Sequence, residues 1–186
     1  MKSDGNAPTS EHPWLLDIQR ELRNAAEVLA VLAPGITIFG SARATLDDRH
    51  YQCAEKLGQW LARAGLPVVT GGGPGIMEAA NRGAHEAGGV SVGLNIQLPS
   101  DETPNPYLTH QLHFLHFATR KLMLTRYARG FVVFPGGFGT VDELMELLVA
   151  FHTDDALRRP MVLIGSGFWH DLVKWFHSEL AARLLI

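Results

Sequence analysis

Residues Gly130–Glu143 read Gly-Phe-Val-Val-Phe-Pro-Gly-Gly-Phe-Gly-Thr-Val-Asp-Glu, and the stretch changes character twice. Phe131–Phe134 is a short apolar run rich in β-branched and aromatic residues, the mark of a buried strand. Pro135, Gly136, Gly137 and Gly139 then interrupt regular structure. From Val141 the pattern turns helical, with Leu144, Leu147, Leu148 and Phe151 recurring at three and four. Strand, glycine loop and helix start is a phosphate-holding geometry. N–H groups at a helix N-terminus carry partial positive charge, and glycine lets an anion come close. Glu143 sits one turn into this helix, beside whatever the loop binds. The competing structural reading is a capping box from Thr140 to Glu143 that only closes the helix.

A second junction of the same kind lies upstream. Leu66–Thr70 reads as a strand, followed by Gly71-Gly72-Gly73-Pro74-Gly75 and a helix through Ile76, Met77, Ala80, Ala84 and Ala87. Pro74 suits the first helical position, where its missing N–H costs nothing. Glu78 and Asn81 fall on the first turns, where both are expected within reach of ligand hydroxyls; alternatively, Glu78 only complements the helix dipole. The loop matches neither the Walker spacing nor the dinucleotide fingerprint. Ile36–Phe39 is another strand, running into Gly40-Ser41-Ala42-Arg43. Arg43 there is either an anion ligand or a solvated surface group.

The remaining chain alternates in the same manner. Trp14–Leu32 has a helical period and is stopped by Pro34-Gly35. His50–Ala64 is helical, with Cys53 read as a small core residue. Val90–Leu94 is a strand, Asn95–Pro106 a long polar connection suited to a lid or rim, and Leu108–Leu115 extended. Phe117–Arg129 is helical and carries Arg120 and Lys121, which point about 100° apart. Met161–Ile164 is a strand and Phe168–Leu184 a helix. Met1–Pro13 is polar and reads as a disordered leader, leaving 14–186 as one domain. This order predicts a three-layer α/β fold, a parallel sheet with helices on both faces. Ligands of such sheets bind beyond the strands' carboxyl ends, at the switch point. Both glycine junctions and the arginine loop fall on that edge.

Composition narrows the partners. With 186 residues and 46% hydrophobic content, the chain suits one globular core. A net charge of −3 supplies no basic excess for a nucleic-acid polymer. Cys53 is the single cysteine, so neither an intrachain disulfide nor a cysteine zinc cluster is available. His110, His113 and His116 lie three apart, but on a strand His113 points away from the other two, which disfavours a metal. The sequence has neither a bilayer-length apolar run nor a signal peptide's apolar core, and a cytoplasmic protein is expected.

A phosphate on Gly136–Thr140 would bring the attached sugar near Glu143. A carboxylate there stabilises the oxocarbenium-like state of glycosidic cleavage and positions or deprotonates water, while Arg120 holds the carboxylate or the phosphate. Three segments together resemble the LONELY GUY (LOG) family, often labelled lysine decarboxylase: Gly71–Asn81, Arg120-Lys121, and Pro135–Glu143. The last matches that family's Pro-Gly-Gly-x-Gly-Thr-x-x-Glu throughout. The resemblance implies a Rossmann-like homodimer or assembly of dimers. The expected activity is a phosphoribohydrolase, needing no cofactor or metal, that releases free base and ribose 5-phosphate from purine nucleoside 5′-monophosphates, AMP or cytokinin riboside monophosphates. It implies Arg120 and Glu143 as the catalytic pair and Gly136, Gly137, Gly139 and Thr140 as the phosphate loop. Ser41, Arg43, Gly72, Gly73, Glu78 and Lys121 are implied as further nucleotide contacts.

Family chains usually continue into a further strand and short helix, so the apolar residues Ala181–Ile186 are expected to lack cover or to meet a partner. Apolar positions Trp14, Leu22, Leu29, Leu122 and Met145 exceed what one sheet requires, and a homodimer with the Arg120 helix near the interface is expected. The rival reading is a non-catalytic nucleotide or molybdenum-cofactor carrier, which would need the glycine loops but neither Glu143 nor Arg120. A pyridoxal phosphate decarboxylase would need a lysine at the crevice, where only Lys121 stands near.

Overall fold

The computed structural model describes residues 12–97, 103–154 and 158–186. Its strands are β1 (Gly35–Phe39), β2 (Val68–Thr70), β3 (Ser91–Ile96), β4 (His110–Phe114), β5 (Ala128–Val133) and β6 (Met161–Leu163). They pair in the order β4-β3-β2-β1-β5-β6, all in parallel. The helices are α1 (Pro13–Ala30), α2 (Arg49–Arg63), α3 (Ile76–Glu86), α4 (Phe117–Arg126), α5 (Phe138–Thr153) and α6 (Ser166–Trp175).

Alternation along the strands divides the core into two. Ile38, Val68, Val132 and Phe134 face Tyr51 and Ala54 of α2 and Ile76, Ala79, Ala80 and Ala84 of α3. Their neighbours Phe39, Val69, Phe131 and Val133 face α1, α4, α5 and α6 through Leu29, Leu124, Leu144, Leu147 and Trp169. Strands covered on both faces need near-continuous apolar runs; Phe131–Val133 of β5 has one, and β1 is broken only at Thr37, whose buried hydroxyl donates to the Leu124 carbonyl (2.8 Å). Each fully buried aliphatic side chain contributes roughly 2 kcal/mol. The three-layer α/β expectation holds.

The chain adds β2, β3 and β4 outward on one side of β1, and α4 then returns it to the other side for β5. The topological switch therefore lies between β1 and β5, where Phe39 is in register with Val133. A crevice opens beyond these two strand ends.

Several boundaries differ from the sequence reading. Pro13 opens α1, and the rest of the expected leader lies outside the described residues except His12. The helix expected to reach Arg129 ends at Arg126, because Ala128 and Gly130 pair with Gly35 and Ile36 in the sheet. Helix α5 starts at Phe138, ahead of Val141. Asn95 and Ile96 extend β3, so the polar connection begins later, and 98–102 lie outside the described residues. The last helix breaks after Trp175 into a π-helical turn, Phe176–Leu180, and a 3-10 turn, Ala181–Arg183. Cys53 is exposed: the buried stripe of α2 is Tyr51, Ala54 and Gly58, which turns Cys53 outward. Leu22 and Leu29 belong to the core, whereas Trp14 is exposed.

Asn81, expected near ligand hydroxyls, is instead a fully buried strut. Its Oδ1 accepts from Thr70 Oγ1 (2.6 Å) and Asn105 Nδ2 (3.0 Å), and its Nδ2 donates to Ser91 Oγ (2.9 Å). It joins α3, β2, β3 and the segment after β3. Asn81→Leu removes three buried side-chain hydrogen bonds and is expected to lower stability by about 2–4 kcal/mol, read as a fall in urea midpoint at unchanged m-value.

Candidate functional site

Ser41 ties the strand-end loops together. Its N–H donates to the Pro135 carbonyl (3.0 Å) and its own carbonyl accepts from the Ile76 N–H (3.0 Å). Its hydroxyl accepts from the Arg43 N–H (3.1 Å). Main chains approach this closely because two neighbours have no side chain. Gly75 has φ +70, and a Cβ there would run into the Ser41 carbonyl and Ala42. A Cβ on Gly136 would strike the Thr140 hydroxyl and the Ser41 amide.

The resulting crevice, about 780 Å³, is lined by Ser41, Arg43, Gly71, Arg120, Gly136, Gly137, Gly139, Thr140 and Glu143, with Met77, Ile96, Phe117 and Phe138 among its apolar walls. Gly137 precedes α5 and no side chain caps it. The first intrahelical bond is Val141 N–H to the Gly137 carbonyl (3.1 Å). The N–H groups of Phe138, Gly139 and Thr140 precede that bond and sit at the crevice. The capping-box alternative falls, because Thr140 is the third residue of the helix, not the residue before it.

The second glycine junction largely closes on itself. Ile76 N–H is taken by Ser41, and Gly72 N–H by Thr70 Oγ1 (2.9 Å). The carbonyls of Gly72 and Gly73 accept from Asn105 N (2.9 Å) and Nδ2 (3.1 Å). Pro74 lies outside α3, which starts after Gly75. Of the expected contacts, Gly72, Gly73, Glu78 and Lys121 do not line the crevice. Glu78 accepts from Tyr51 Oη (3.0 Å). Lys121 bridges α4 to α5 through Glu146 (2.6 Å) and Asp142 (3.0 Å). Among the histidines, His116 meets Glu21 at 3.2 Å and His110 meets Thr109 at 3.0 Å.

Arg120 and Glu143 face each other in the crevice at 3.7 Å, their side chains 14% and 15% exposed. That separation exceeds a hydrogen bond. The guanidinium lies 5.2 Å from the centre of the Phe117 ring, and its Nε has no hydrogen-bond partner among the described residues. Burial pushes the Glu143 carboxyl from 4.5 up to about 7, against the pull of Arg120. Burial also draws Arg120 below its ordinary value, opposed by Glu143 and Asp142. A water-poor acid poised near neutrality, beside a helix start that no side chain caps, suits proton transfer next to a bound anion. The apolar walls were not singled out from sequence; Phe117, three residues before Arg120, was findable by helical spacing.

The family model described as "Possible lysine decarboxylase" matches residues 77–185, more than half of the chain. A cytokinin riboside 5′-monophosphate phosphoribohydrolase of Rhodococcoides fascians is 30% identical over 141 residues, covering 73% of this chain and 69% of that protein. The chain is a member of the LONELY GUY (LOG) family. This LOG chain is also 31% identical over 135 residues to the pyrimidine/purine nucleotide 5′-monophosphate nucleosidase of Escherichia coli K12, covering 68% of this chain and 30% of that protein's length. An X-ray structure from the Northeast Structural Genomics Consortium has a TM-score of 0.59 at 33% identity, covering 75% of this chain and 79% of that one. The molybdenum-cofactor carrier protein of Chlamydomonas has a TM-score of 0.61 at 26% identity, covering 81% and 86%.

The raised acid has a stability consequence. A carboxyl with a raised folded-state pKa costs nothing below the unfolded value of 4.5; its cost grows as pH rises from there to about 7 and is constant above. Glu143→Gln is therefore expected to match the wild type in unfolding free energy at pH 4 and to exceed it at pH 9 by about 3 kcal/mol, read from urea denaturation at the two pH values.

Proposed function

We propose that this LOG chain is a phosphoribohydrolase that cleaves the N-glycosidic bond of purine nucleoside 5′-monophosphates, AMP or cytokinin riboside 5′-monophosphates, to free base and ribose 5-phosphate. The observation that carries this reading is the buried Arg120–Glu143 pair beside the uncapped N-terminus of α5. The names of the Rhodococcoides and Escherichia coli relatives support it.

The phosphate binds the N–H groups of Phe138, Gly139 and Thr140, with Ser41 and Arg43 at the opposite lip. The ribose lies over Arg120 and Glu143, and the base lies along Met77, Ile96 and Phe117. As the C1′–N bond lengthens, positive charge grows on the sugar, and ionised Glu143 stabilises it. Glu143 takes a proton from the attacking water, whose oxygen bonds to C1′. The base departs with the bonding pair and receives that proton. Arg120 keeps Glu143 from becoming permanently neutral in its dry site. A carrier would have no use for such a costly pair.

The chemistry belongs in the cytoplasm, where nucleoside monophosphates are held. We also propose a homodimer, because α4 exposes Phe117 and Leu122 and the tip of α5 exposes Phe138, which is 97% accessible. A monomer mass by light scattering at micromolar concentration would count against it.

Incubation with AMP, GMP, CMP and isopentenyladenosine monophosphate should release free base from at least one purine nucleotide; AMP binding without release from any of the four supports the carrier instead. Glu143→Gln should lose about 100-fold or more in kcat while still binding AMP, and full turnover by this variant would refute the mechanism. For the wild type, kcat/KM should rise with pH through about 7, as Glu143 ionises.

A further inference from the structure

Arg120 has few anchors of its own. Its Nε has no partner among the described residues, and its nearest counter-charge is at 3.7 Å. Its place is set by the backbone of α4, whose Arg120 N–H bonds the His116 carbonyl (3.2 Å). That helix starts without a side-chain cap of its own and without an acid in its first turn. Isolated, such a start frays.

The missing anion arrives from α1. Glu21 is buried, and one of its oxygens accepts from Leu115 N–H (2.6 Å) and meets His116 Nδ1 (3.2 Å). The other oxygen accepts from the Thr119 hydroxyl, whose oxygen also lies 2.8 Å from the His116 carbonyl. Every group on this carboxylate belongs to the first turn of α4 or the two residues before it. We propose that Glu21 is a positioning residue for Arg120: by gathering Leu115, His116 and Thr119 it fixes the start of α4, and so fixes where the guanidinium meets Glu143 and substrate.

Burial pushes the Glu21 carboxyl up, but the hydrogen bonds from Thr119 and Leu115 outweigh it and hold the group below 4.5, so it stays ionised at working pH. A helix start stapled by a charge moves less than one held by water alone. A displacement of about 1 Å at a reacting centre costs up to about 100-fold in rate. Glu21 lies on α1, ahead of the segment matched by the family model, whereas Leu115, His116 and Thr119 fall within it.

The inference rests on the phosphoribohydrolase reading, and AMP turnover is its assay. Glu21→Ala should lower kcat about 10-fold with KM for AMP changed less than about threefold, because the phosphate loop on α5 is untouched. Glu21→Gln, which keeps the shape and an acceptor, should recover most of the loss. In an Arg120→Ala background the Glu21→Ala change should cost nothing further, a coupling that general loosening would not produce. Assays are run well below each variant's thermal midpoint; if Glu21→Ala does not fold, Thr119→Val replaces it, with a smaller kcat loss expected.

Unchanged kcat in the folded variant, or an equal loss with and without Arg120, overturns the proposal while the hydrolase reading stands. A wild type that releases no base sinks both.

Discussion

The backbone of Ser41 is the constraint on which the site depends. It gives its N–H to the loop after β5 and its carbonyl to the start of α3, so three strand ends are stitched through one residue. Side chains would hold them apart, and Gly75 and Gly136 remove that obstacle. The sheet register, with Phe39 level with Val133, brings β1 and β5 to the same height and makes the stitch possible. The Ile76 N–H is used up in this way, whereas α5 starts at the crevice with no side-chain cap.

Charge is then delivered from two helices on one face of the sheet. Helix α4 carries Arg120 inward and Lys121 sideways. Lys121 meets Asp142 and Glu146 on α5, so it braces the two helices from outside while Arg120 and Glu143 meet in the crevice. The exposed bridge is inexpensive and sets spacing; the buried pair is held apart by more than a hydrogen bond. An acid held near neutrality gives up some folding stability for readiness to exchange a proton.

Much of this was legible in the sequence. The apolar run Phe131–Phe134 and the alternation of strands with helices determined the layers, because burial on both faces imposes a recognisable pattern. The pair Arg120 and Glu143 was legible through chemistry and motif together. Other features are tertiary. Gly72 and Gly73 look identical in sequence to anion-binding glycines, yet their carbonyls serve Asn105, and only the folded segment after β3 reveals that. The helix carrying Arg120 looked longer than it is because Ala128 and Arg129 suit helices, and sheet pairing with Gly35 overrode them. Glu21 gave no sequence signal at all, since its partners lie 94 to 98 residues away.

The crevice has a floor made of main chain and walls made of side chains. The floor, at Gly75 and Gly136, tolerates almost no change: a Cβ on Gly75 meets the Ser41 carbonyl and Ala42, and one on Gly136 meets the Thr140 side chain and the Ser41 amide. Met77, Ile96, Phe117 and Phe138 carry no such obligation. Variants of this scaffold could therefore reshape the rim, and with it what the crevice admits, while the main-chain floor stays as inherited.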